Sequence, residues 1–127
     1  QVQFEPVKDY VARANDAASS FQWEKALDLY EAALVQGRDR SIIDKALTIY
    51  RQLPAARGVA SVAREIEFCQ SAVLVYPNDV GLLNHLAELY LRQNRVQMAR
   101  GIWGRVLKID PTNEAARKGL VASSVGS

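Results

Sequence analysis

The sequence predicts an all-helical chain of antiparallel hairpins stacked side by side, and three observations carry that prediction. Apolar residues recur at helical spacing, the chain matches itself at two fixed shifts, and prolines and asparagines fall where helices must stop or turn. At 127 residues, 49% hydrophobic and 24% charged, the chain has the size and balance of one globular domain. Its 16 basic and 14 acidic residues leave a formal +2, too little to collect nucleic acid or an anionic surface by net charge alone.

The helical period is clearest toward the C-terminal end. Leu83, Leu86, Ala87, Tyr90 and Leu91, then Ala99, Ile102, Trp103, Val106 and Leu107, both follow the i, i+3, i+4, i+7, i+8 pattern of a one-sided helix. A shift of 73 residues pairs Tyr10 with Leu83, Ala14 with Ala87, Ala26 with Ala99, Tyr30 with Trp103 and Ala33 with Val106, so small matches small and large matches large. A second shift, of 34 residues, pairs Pro77 with Pro111, Val75 with Ile109, Ala72 with Val106 and Phe68 with Ile102. Two shifts imply three units: about 7–40, 41–79 and 80–113. The middle unit carries about five extra residues near 53–59, where Pro54 and Gly58 interrupt the pattern between its two helices. The first of those helices is expected over about Arg40 to Leu53.

Asn78 or Asp79 is placed to cap the helix that follows, Asn94 to make a turn, and Pro111 to stop the last long helix. Beyond it, residues 113–122 predict a short capping helix started by Thr112 or Asn113, with Ala115, Ala116 and Leu120 on one side, before the chain dissolves into Ser123, Ser124 and beyond; a fourth unit cut short is the competing reading. Cys69 is the only cysteine, so no internal disulfide is available, and its apolar flanks place it in a core. No run of about 18 apolar residues is present to span a bilayer. Gln1 in place of a methionine suggests a processed or excised piece of a longer protein. The compartment stays open between cytoplasm and periplasm.

These residues resemble the tetratricopeptide-repeat family, whose unit is a 34-residue helix-turn-helix with small residues where its helices cross and a proline near its end. Leu83, Leu86, Ala87, Tyr90, Ala99, Trp103, Val106 and Pro111 carry the closest match. Unit one matches through Tyr10, Ala14, Ala26, Tyr30 and Ala33 but lacks the proline, and unit two places Glu65 where the others have alanine. The resemblance implies a right-handed superhelical α-solenoid whose first helices line a concave groove that binds a peptide or partner protein. Carried over residue by residue, the groove set is Lys8, Asn15, Asp44, Thr48, Arg51, Asn84, His85, Glu88 and Arg92. Relatives that clamp a carboxylate-ended peptide use cations at positions filled here by Val11, Asn84 and His85, so only Asn15 fits that clamp.

Other chemistries find little support. No nucleophile is paired with a base, no glycine-rich phosphate loop appears, and His85 lacks the companions of a metal site, so neither catalysis nor a cofactor is expected. Trp23 and Trp103 occupy core positions of the repeat, and Gly101 and Gly104, inside a helical pattern, predict close helix approach. One charge asymmetry stands out: from Arg92 to Lys118, Arg92, Arg95, Arg100, Arg105, Lys108, Arg117 and Lys118 face only Asp110 and Glu114. The leading reading is an interaction scaffold, part of a longer assembly or cell-envelope factor, with nucleic acid not favoured. A basic half-repeat module bound to RNA or to an acidic partner is the alternative, and self-association through exposed end faces is a third reading.

Overall fold

Short polar side chains set where the helices begin. In the computed structural model, which describes residues 7–36, 39–52 and 58–125, Asp79 caps a helix by accepting the Leu82 N–H at 3.0 Å, and Asn113 caps another by accepting the Ala116 N–H at 3.0 Å. Asp39 does the same for a third, taking the Ser41 N–H at 3.0 Å and the Ser41 hydroxyl at 2.6 Å. Those bonds, the hydroxyl's first, hold the Asp39 carboxyl below the ordinary carboxylate range. Asp110 is lowered likewise, by Thr112 and then Asn113, as it organises the turn before the last helix.

Seven helices result, with no strand among the described residues: α1 (Val7–Ser19), α2 (Trp23–Gln36), α3 (Ser41–Gln52), α4 (Gly58–Val75), α5 (Val80–Arg92), α6 (Val96–Ile109) and α7 (Glu114–Val125). The all-α expectation holds. No helix among the described residues is long and apolar enough to cross a membrane. Gly58 and Val59, expected in the insertion of the middle unit, open α4 instead, and the rest of that insertion, 53–57, lies outside the described residues.

The chain divides into two compact units, 1–57 and 58–127. In the first, α1 packs on α2 and α2 on α3. Ala14, Ala26, Ala33, Leu34, Ile42, Ile43 and Ala46 are fully buried there, and α3 sinks half its residues into the core. In the second, α4 packs on α5, α5 on α6, and α7 on both α5 and α6. Its core is built from Phe68, Cys69, Ala72, Leu82, Leu83, Ala87, Leu89, Ala99, Trp103, Val106 and Ala116.

The turn α1–α2 and the turn α5–α6 are the same object at a shift of 73 residues. The Gln22 N–H reaches back to the Ala17 carbonyl at 2.8 Å, and the Arg95 N–H to the Tyr90 carbonyl at 2.9 Å, each closing the six-residue loop of a Schellman motif. Between them the chain takes a left-handed residue, Phe21 in the first turn and Asn94 in the second, both at φ 61°. Asparagine suits that conformation, whereas a phenylalanine there costs roughly 1–2 kcal/mol.

Two features of α7 depart from the sequence expectation. The helix runs on to Val125 instead of dissolving at Ser123, because Arg100 of α6 donates to the Leu120 carbonyl at 2.8 Å and to the Ser123 hydroxyl at 3.0 Å, satisfying groups near the helix end. The close helix approach expected at Gly101 and Gly104 occurs elsewhere: a Cβ at either of these meets nothing within 4 Å, but one at Gly119 would lie 2.4 Å from the Trp103 ring. The indole therefore rests on bare backbone of α7. Gly119→Ala is expected to lower stability by about 1–3 kcal/mol through overpacking. Gly101→Ala, on an exposed helix face, should raise it by about 0.5–1 kcal/mol. Urea unfolding midpoints of the two variants check both signs.

Candidate functional site

In the first unit, the end of α1, the start of α2 and the exposed side of α3 enclose an open cleft of about 330 Å³. Ala18, Ser19, Trp23, Tyr30, Lys45, Thr48, Ile49 and Gln52 line it. Trp23 is only half-buried there, so the core role expected for both tryptophans holds for Trp103 and fails for Trp23. The reason is position: Trp23 opens α2 beside a tight turn, where its ring has helix on one side and solvent on the other. It also meets Phe21 edge-on, ring centres 5.5 Å apart, and Phe21 is 75% exposed.

The residues expected at the groove divide by what they touch. Lys8 lies in the first turn of α1, and its side chain is outside the described residues. Asn15 is exposed but accepts the Tyr30 hydroxyl, which ties α1 to α2 under the cleft; burial pushes that phenol's pKa up. Asp44 is exposed and paired with Arg40 at 3.1 Å, an i, i+4 surface bridge of little energetic weight. Thr48 turns its hydroxyl back to the Asp44 carbonyl at 2.8 Å and leaves its methyl to the cleft wall. Arg51, Glu88 and Arg92 are exposed.

Asn84 and His85 are engaged inside the second unit. The Asn84 amide donates to Asn113 at 3.1 Å, linking α5 to the cap of α7, while its carbonyl oxygen is sealed with no partner among the described residues. A free hydrogen-bonding role for Asn84 toward a ligand therefore conflicts with its geometry. His85 Nε2 lies 2.5 Å from Glu65 Oε2, and Glu65 is buried at the helix position where the other repeats have alanine. Nothing in the sequence linked Glu65 to His85, because the pair is 20 residues apart and joins two helices. Cys69, one turn beyond Glu65, is buried as expected; burial first, and then the Glu65 charge, push its thiol up to about 12, so it is no nucleophile at neutral pH.

The basic stretch is partly consumed by structure. Arg100 is bonded to α7 as above, Arg105 donates to the Pro77 carbonyl at 2.5 Å, and Lys118 pairs with Glu114 at 3.8 Å. Among the described residues no group of three His, Cys, Asp or Glu side chains could hold a metal ion.

Helical hairpins with small residues at their crossings are the building units of helical-repeat folds. Solved structures identify the fold more narrowly. The first TPR domain of Spaghetti (RPAP3) bound to the HSP90 peptide SRMEEVD superposes with a TM-score of 0.63 at 15% identity, covering 98% of this chain and 95% of that one. The Arabidopsis OM64 TPR domain gives 0.63 at 16% identity, covering 95% and 96%. The Sgt2 TPR domain from Aspergillus fumigatus gives 0.60 at 17%, covering 94% and 78%. No family model matches the sequence, and no curated protein is similar to it. The chain has the tetratricopeptide-repeat fold.

The Glu65 and His85 pair yields a stability test. His85→Ala leaves a buried carboxylate without its partner and is expected to cost about 1–3 kcal/mol. Adding Glu65→Ala, which restores the small residue of the repeat, should recover most of that loss. Urea unfolding of the two single variants and the double variant measures the coupling.

Proposed function

We propose that this chain is a protein–protein interaction module, not an enzyme, that holds a peptide segment of a partner against the first helices of its repeats. In the first unit the contact surface is the cleft lined by Thr48, with Asn15 bonded to the Tyr30 of its wall and Asp44 and Arg51 on the same helix as Thr48. In the second it is the exposed face of α5 that carries Glu88 and Arg92. The observation that carries this reading is the fold itself. It is shared over nearly the whole chain with domains solved holding peptides, the HSP90 peptide SRMEEVD on one TPR domain of RPAP3 and the HSP70 peptide SGPTIEEVD on another. The finer reading, a segment of a longer assembly or cell-envelope factor, follows the same logic: a scaffold without chemistry of its own acts by bringing other proteins together. An RNA-binding role draws less support, since Arg100 and Arg105 of the basic stretch are bonded to backbone carbonyls of the chain itself and Trp103 is buried.

Panning a random peptide display library against the purified chain tests the proposal. Recovered peptides, resynthesised, should bind at micromolar dissociation constants or tighter, and Thr48→Lys, which fills the cleft, or charge reversal at Glu88 and Arg92 together should weaken them about tenfold, a loss of about 1.4 kcal/mol. A library from which nothing is retained overturns it. The terminal carboxylate of SRMEEVD should add nothing to its binding, so that its free-acid and amidated forms bind alike, because Val11, Asn84 and His85 stand where a clamp would supply cations. Fluorescence anisotropy of the labelled peptide reads this directly.

A further inference from the structure

Phe21 is strained and exposed at once. The equivalent turn of the same chain places Asn94 at an identical backbone angle, so the geometry needs no aromatic and is better served by a residue that tolerates φ 61°. The ring gains no burial in return, being 75% exposed, and its one described ring partner is Trp23, met edge-on at 5.5 Å. A large apolar side chain held in a disfavoured conformation in water is the mark of a residue retained for contact with something else. Trp23 in turn lines the cleft between α1 and α3, so the aromatic pair is continuous with that cleft at its rim.

The cleft carries charge of one sign. Of its lining residues only Lys45 is ionised; it acts on the exposed Asp39 carboxylate through space but makes no close ion pair among the described residues, whereas the neighbouring Asp44 is matched with Arg40. The remaining walls, Ala18, Ile49, the rings of Trp23 and Tyr30 and the methyl of Thr48, are apolar. An open hollow of about 330 Å³ has room for a large side chain together with part of the backbone that carries it.

From these features we infer the chemistry of the peptide: an extended segment that places a bulky apolar side chain in the α1–α3 cleft, packs it against the Phe21 and Trp23 rings, and sets a carboxylate two or three residues away against Lys45. This rests on the peptide-binding reading above and narrows it. Apolar anchoring supplies affinity, and the single lysine supplies orientation along the chain. Phe21 and Lys45 are then the residues that select the partner.

The same display library distinguishes this inference from the broader one. Enriched sequences should share a bulky apolar residue with Asp or Glu two or three positions away. Phe21→Asn, which installs the residue of the sister turn, should leave the thermal midpoint unchanged or higher while weakening the selected peptide at least tenfold. Lys45→Glu should weaken acidic peptides similarly and improve versions in which the acid is replaced by lysine. Retained peptides without the paired pattern overturn the inference and leave the interaction module standing. So does a Phe21→Asn variant that binds undiminished, or one that loses affinity only in step with stability. A dimer in sedimentation that Phe21→Asn abolishes overturns it in favour of a second copy of the chain as the occupant, and an empty library removes both readings.

Discussion

Two helices can cross closely only where the side chains between them are small, and that constraint organises both compact units. Ala14 and Ala26 in the first unit, and Ala87 and Ala99 in the second, are completely buried at corresponding places in their hairpins. Interaxial distance follows the size of the residues at the contact. With alanines there, the larger residues one turn away, Tyr30 in one hairpin and Trp103 and Leu83 in the other, close over the flanks and exclude water. The polar turns, the caps and the surface charges are accommodated around that arrangement. Gly119 extends it to the last helix, since only a residue without a Cβ lets α7 sit on the Trp103 ring.

Much of this was legible from residue order alone because the repeat is written twice in strong form. The shift of 73 residues, seen first as paired side chains, reappears as two turns with the same backbone angle and the same hydrogen bonds. Caps were readable too, since Asp79 and Asn113 are residue types that accept from a helix start. What escaped was long-range. The extension of α7 to Val125 depends on a guanidinium 20 residues upstream, and the tolerance of a buried Glu65 depends on a histidine 20 residues downstream. Neither helix propensity nor apolar period carries that information.

The site was legible only in part, for a related reason. Carrying over groove positions selects residues by register, and among those residues Thr48 lies on a cleft while Glu88 and Arg92 are exposed. It cannot say whether an amide already has a partner, and Asn84 does. Trp23 was assigned to the core by its repeat position, whereas as the first residue of α2 it is only half-buried. Aromatic residues at helix starts are decided by the turn before them, and here that turn holds Phe21 at an angle no pattern of apolar spacing reveals.

The buried Glu65 and His85 pair also bears on how this sequence can change over time. Losing the histidine first strands a carboxylate in the core, and losing the glutamate first leaves an imidazole facing a gap cut to fit its partner. Each route passes through a less stable chain before the repeat could regain its alanine. Coupling of that kind makes single replacements deleterious even when the double replacement is harmless. In the middle repeat the glutamate and the histidine thus form one unit of change, tied by a single hydrogen bond between two helices.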